Sequence, residues 1–166
     1  MHDDVQIMDC PDKIDIRGGK LTYGQRIELG DILGKADSTT SEKYIAVMQC
    51  LHPGWQHTFS IECIAYFEEV VEGLRYWMER EATMLAYQPT AEEIAAGINN
   101  LGKKLGPMMT VMTLAEKFGK DPDEILQWEY GKVFGLLYAD LEGFKYQRNY
   151  RKVIESRERQ RRLSRK

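Results

Sequence analysis

Long apolar runs are missing from this chain, and nowhere in its 166 residues does a stretch approach the roughly 20 needed to cross a bilayer. No membrane span is therefore expected. The opening Met1-His2-Asp3-Asp4 is acidic and carries no apolar segment, so it does not read as a secretory leader. Cysteine is scarce: Cys10, Cys50 and Cys63 are odd in number and lack framework spacing, which points to a reducing compartment, here the cytoplasm. Motifs for chemistry are absent too. There is no Gly-x-Ser-x-Gly elbow and no Gly-x-x-x-x-Gly-Lys-[Ser/Thr] phosphate loop. Gly102-Lys103-Lys104 lies within a helical pattern rather than after a strand. Glu68-Glu69 and Glu92-Glu93 are sequence neighbours that point to different helix angles, so neither pair forms an acid–base couple. Cys50, His52, His57 and Cys63 fall within fourteen residues, but without the tight ligand pairs of zinc sites and with Pro53-Gly54 between the halves. The expectation is a protein with no catalytic, cofactor or metal site.

What is there is an ordinary globular composition, 43% hydrophobic and 30% charged, of a size for one domain with a real core. Charge is unevenly placed. Residues 145–166 hold ten Lys/Arg against Glu155 and Glu158, a net +8, which leaves 13 basic and 24 acidic groups, −11, on residues 1–144. An acidic body (1–144) with a basic helical arm (145–166) suits an acidic partner: a protein, a nucleic acid or the body of another copy.

The patterning is mainly α-helical. Val5-Gln6-Ile7 and Ile14-Asp15-Ile16 alternate apolar with polar around the turns Cys10-Pro11-Asp12 and Gly18-Gly19, predicting a short N-terminal β-hairpin or extended segment. Thr22 with Gln25 and Thr90 with Glu93 have capping-box spacing. The first opens a helix with Tyr23, Ile27, Leu29, Ile32 and Leu33, and the polar run 36–41 leads to a second with Tyr44, Ile45, Met48 and Leu51. The longest helix of the middle region is predicted over about 58–87, with Ile61, Ile64, Val71, Leu74 and Met78 as its apolar stripe. Ile94, Ile98, Leu101 and Leu105 share a face after Thr90, and Gly106-Pro107 kinks or divides that element from 108–118. Asp121-Pro122-Asp123-Glu124 opens a short helix, since Asp caps, Pro suits the first turn and acids favour the positive dipole end. The last helix carries Phe134, Leu137, Leu141 and Phe144, and beyond Tyr150 it is poor in apolar residues. The expected architecture is a multi-helix bundle with a protruding basic C-terminal helix.

Three groups are candidates for binding. Met108, Met109 and Met112, with Phe118 following, either fill a core gap with adaptable side chains or present a surface for partners of variable shape; core filling is the commoner use. Trp128 and Tyr130 straddle a corner, where aromatics pin a helix junction or anchor an interface. The arm residues Lys145, Arg148, Arg151, Lys152, Arg157, Arg159, Arg161 and Arg162 either form a solvated helical tail, helped by Glu155–Arg159 and Glu158–Arg162 spacing, or bind an acidic protein. With Tyr146 and Tyr150 interleaved, nucleic-acid backbone is a further but weaker candidate.

Ile14-Asp15-Ile16 through Leu21-Thr22-Tyr23-Gly24-Gln25-Arg26-Ile27-Glu28-Leu29 resembles the opening of tail assembly chaperones of tailed bacteriophages, a short extended segment before a Leu-Thr-x-Gly-Gln helix start. Phe118-Gly119-Lys120-Asp121-Pro122-Asp123-Glu124-Ile125-Leu126-Gln127-Trp128 and the following Val133-Phe134-Gly135-Leu136-Leu137 resemble the later helical part. Together they span about a fifth of the chain. The resemblance implies a small helical, non-enzymatic protein of the host-cell cytoplasm that binds the tape measure protein and helps recruit tail tube subunits. It supplies no catalytic, cofactor or client-binding residues. Two alternatives remain: a structural neck or connector component of a phage particle, and a nucleic-acid-associated helical protein that uses residues 145–166.

Overall fold

The computed structural model describes residues 10–56 and 59–164. It is mainly helical, with eight helices among the described residues: α1 (Tyr23–Gly34), α2 (Thr40–Leu51), α3 (Ile61–Met84), α4 (Ala91–Ala95), α5 (Ile98–Leu105), α6 (Pro107–Phe118), α7 (Pro122–Leu126) and α8 (Tyr130–Leu163).

Local chemistry sets most helix starts. Thr22, Thr39 and Thr90 each form a full capping box, their side chains accepting from the N3 backbone while Gln25, Glu42 and Glu93 reach back. Asp121 caps α7 by accepting from Asp123 N, with Pro122 in the first turn. Thr39 is the one not anticipated, because it lies in a polar run that reads as loop.

The core is built on α3. Cys63, Tyr66, Val70, Gly73, Leu74 and Trp77 form its buried face. They meet Tyr44, Val47, Met48 and Leu51 of α2, Leu29 and Ile32 of α1, Val111, Leu114 and Ala115 of α6, and Tyr130, Val133 and Phe134 of α8 in one cluster. The expected stripe is corrected in part: Leu74, with the flanking Val70 and Trp77, is buried as the pattern suggests, but other members of the stripe are not. Ile61 is 86% exposed, and Ile64 and Met78 also face outward. Glu68 and Arg75 lie on that same outer side, whereas the inner face carries no charge from Cys63 to Trp77 and only Glu81 beyond it.

The N-terminal hairpin is not seen among the described residues. Val5-Gln6-Ile7 lies outside them, and Ile14-Asp15-Ile16 leads into a turn at residues 16–19 rather than pairing as a strand. Ile16 instead enters the core, its carbonyl accepting from Trp77 Nε1 at 2.7 Å. Two alternating residues are too few to decide between a strand and a strap anchored by one buried side chain.

A short backbone pairing ties the two ends of the bundle together. Tyr23 N donates to Trp128 O at 2.8 Å, Tyr130 N to Leu21 O at 2.8 Å and Gly131 N to Gly19 O at 3.0 Å, around an isolated antiparallel bridge between Thr22 and Glu129. Gly19 has φ +74°, and a Cβ there meets Gly131 Cα at 2.7 Å, so a side chain at this crossing is excluded both by conformation and by space.

The segment 91–105, expected as one helix, is divided. Gly97 adopts φ +91°, which ends α4 and reaims the chain into α5. Neither α4 nor α5 contributes a buried residue.

Candidate functional site

The sequence candidates separate into a closed region and an open one. Tyr130 is a correction: at 3% exposure it belongs to the core and is no surface anchor. Its ring stacks on Tyr23 at 5.9 Å and meets Trp77 edge-on at 5.0 Å. Its hydroxyl donates to Glu81 Oε1, and Arg26 grips the same carboxylate with Nε at 3.0 Å and Nη2 at 2.8 Å. Burial, followed by the neighbouring Glu81, pushes the Tyr130 phenol well above its usual range. This trio links α1, α3 and α8, and no sequence motif marks it. Arg26 and Glu81 are 55 positions apart, and nothing local to either marks the pairing.

Trp128 is half-buried at the junction, edge-on to Phe118 at 5.4 Å and capped by Lys132 Nζ at 3.8 Å from its ring. Phe118 itself is 40% exposed.

The methionines sit on the open side. Val111, Leu114 and Ala115 form the buried face of α6, while Met108, Met109 and Met112 point outward, Met112 at 54% exposure. The core-filling use of these side chains is therefore corrected. Ile94, Leu101 and Leu105 continue this exposed apolar surface along α4 and α5. A shallow groove of about 380 Å³ runs between Ala96, Ile98, Leu101 and Lys104. Spacing marked these residues as one face, but an apolar face alone does not say whether the chain covers it.

Residues 145–163 continue α8 as helix, ending in Arg161 and Arg162 near its C-terminus, where cations favour the dipole. Tyr146 and Tyr150 are exposed and stack on each other at 6.3 Å, and Val153 is exposed beside them. Lys145 pairs with Glu142 at 2.8 Å. Arg148, Arg151, Lys152, Arg157, Arg159, Arg161 and Arg162 form no salt bridge among the described residues, and the Glu155–Arg159 and Glu158–Arg162 spacings close none.

Metal-ligating types do not converge among the described residues. Cys63 is buried, Cys50 is half-buried with its thiol pushed up to about 12 by desolvation, and His52 Nε2 lies 3.1 Å from the Tyr66 hydroxyl. His57 lies outside the described residues. A cavity of about 490 Å³ opens between the 13–17 strap and α3. Its wall mixes Lys13, Arg17 and Arg75 with Asp15, Glu69 and Glu72, and Lys13 already pairs with Glu69 at 2.6 Å. No described helix is long and apolar enough to cross a membrane.

No family model, curated protein or solved structure matches the chain. The functional reading therefore rests on the surface itself.

Proposed function

We propose that this chain is a non-enzymatic, protein-binding helical chaperone of phage tail assembly, which holds the tape measure protein and assists tube assembly around it. The observation that supports the reading is the open apolar surface of α4–α6, where Leu101 and Leu105 on α5 and Met108, Met109 and Met112 on α6 are all exposed. A contiguous apolar surface of this kind marks an interaction site. Unbranched methionine fits irregular partners, and an amphipathic client helix lays its apolar face into such a shelf. The tape-measure and tail-tube identity of the client rests on the resemblance of residues 14–29 and 118–137.

Co-expression with a phage tape measure protein tests it. The full chain keeps the client in the soluble fraction as a complex, and Met108→Gln/Met109→Gln/Met112→Gln releases it to the pellet while the variant itself stays folded. A client held equally well by the variant, or no complex with the intact chain, would falsify the proposal.

A second reading has one observation of its own. The Tyr146–Tyr150 stack among free cations is the kind of platform that accepts bases of single-stranded nucleic acid. Salt-sensitive retention of labelled oligonucleotide, lost when the chain is ended at Phe144, favours it. The neck or connector reading instead requires the chain in purified particles.

A further inference from the structure

We propose that the chain associates with itself, the basic second half of α8 lying along the outer face of α3 in a second copy. This goes beyond the client-binding reading and does not use the α4–α6 surface.

The outer face of α3 is unlike a solvated helix surface. Ile61 is 86% exposed and Ile64 43%, on consecutive turns at the start of the helix. Glu68, Glu72 and Glu79 follow on the same side, exposed and with no salt bridge among the described residues, and with the exposed Arg75 between them the stretch stays net acidic, three carboxylates to one guanidinium. The face is apolar first and acidic second.

The second half of α8 repeats that order with the charge reversed. Tyr146, Tyr150 and Val153 share one side at helical spacing, exposed at 64%, 52% and 47%. Arg157 and Arg161 continue the same side, exposed and without salt bridges. Tyr146 to Arg157 is eleven residues, and so is Ile61 to Glu72. Each step covers about 16 Å of helix. A parallel register that sets Tyr146 and Tyr150 on Ile61 and Ile64 therefore brings Arg157 to Glu72.

The two surfaces cannot meet within one chain. α8 starts beside Trp77, with Phe134 at 5.1 Å from that ring. It passes Tyr87, just beyond the end of α3, where Phe144 lies at 5.8 Å. Residues 145–163 then extend about 28 Å further, away from Ile61. An unbroken helix cannot double back, so the complementary face must come from another molecule. Desolvating Ile61 and Tyr146 adds apolar burial to the charge match, whereas charge alone on exposed side chains contributes little.

Sedimentation of the nuclease-treated full chain, at about 50 mM and about 500 mM salt, tests the proposal. Association is expected at low salt and at least tenfold weaker at high salt. Arg157→Glu/Arg161→Glu and Glu68→Arg/Glu72→Arg each weaken it by a similar factor. All four substitutions in one chain restore it, because each reversed arm then meets a reversed face. These side chains are exposed, so helix content by circular dichroism stays unchanged. A monomer under all conditions overturns the proposal, as does association indifferent to both reversals, which would place the contact elsewhere, or a fourfold variant no better than either double one. Oligonucleotide binding by a chain that stays monomeric assigns the arm to nucleic acid and overturns it too.

Discussion

Two helix pairs that both carry apolar residues at helical spacing end up in opposite states. α2 and α3 bury Tyr44, Val47, Met48, Leu51, Cys63, Tyr66 and Val70 against each other and the rest of the core, with Tyr44 touching Trp55, Phe59 and Phe67. α4 and α5 carry Ile94, Ile98, Leu101 and Leu105 at helical spacing and bury none of them. Apolar periodicity is thus common to both, and what separates them is what the chain places opposite. α2 faces α3, which is 24 residues long and tied to α1 and α8 through the Arg26–Glu81–Tyr130 trio. α4 and α5 are bounded by breaks at Gly97, φ +91°, and Gly106, φ +49°, and none of their side chains enters the core. The first region is closed by its own chain, and the second is left open to a partner.

The largest test of that contrast is the closed side. Trp77→Ala removes an indole that donates to Ile16 O and contacts Tyr130 and Phe134. A loss of about 3–5 kcal/mol is expected by urea denaturation, the range for deleting a buried large aromatic. Leu101→Ala on the open side should stay within about 0.5 kcal/mol. Equal losses at the two sites would mean that α5 is packed after all, and the division of the molecule would fail.

How far the sequence reveals this division depends on the range of the interaction concerned. Thr22, Thr90 and Asp121 are legible because a cap acts over three residues and needs no tertiary partner. The buried side of α3 is only partly legible: Leu74, with Val70 and Trp77 beside it, is buried as the pattern suggests, whereas Ile61, Ile64 and Met78 are exposed. Ile61, Ile64, Val71 and Met78 are spaced as well as Cys63, Tyr66, Val70 and Trp77 are, and only Glu68 and Arg75 on the first side argue against it. The methionines of α6 show the same limit from the other direction: spacing sets Met108 and Met112 apart from Val111 and Leu114, but not which pair faces inward. The Arg26–Glu81 contact crosses 55 positions, so no window along the chain contains it.

Capping offers a smaller and sharper comparison, because the same chemistry occurs on both sides of the divide. Thr22 and Thr90 each close a box with the residue three positions on. Thr22→Ala should cost about 1 kcal/mol of global stability, since α1 is packed into the core. Thr90→Ala removes as much local helix stability, but α4 buries nothing, so the global midpoint should hardly move. Amide hydrogen exchange separates the two: fast exchange confined to 91–95 for Thr90→Ala, and a general rise in the core for Thr22→Ala. A global loss from Thr90→Ala would show that α4 supports the fold, again against an open region.

The smallest expected effect is on pH dependence, and it too belongs to the closed side. Desolvation, followed by the nearby Glu28, pushes the Cys50 thiol from 9.0 up to about 12. A raised value in the folded state means that the unfolded chain loses this proton first as pH rises. The contribution is therefore intact below about pH 9 and falls between 9 and 12, because ionised thiolate accumulates in the unfolded ensemble. Tyr44 acts in the same direction at higher pH, its phenol raised from 10.0 to about 12 by burial. Thermal unfolding midpoints should accordingly be level from neutral pH to about 8.5 and decline above 9. Cys50→Ala should make that decline shallower, with Cys10, also raised from 9.0 to about 12 by burial, and the tyrosines accounting for what remains. An unchanged slope in Cys50→Ala would mean that the thiol ionises as readily in the folded chain as in the unfolded one, and that the α1–α2 seam around it admits water. In that case the closed region would begin at α3 rather than at α1.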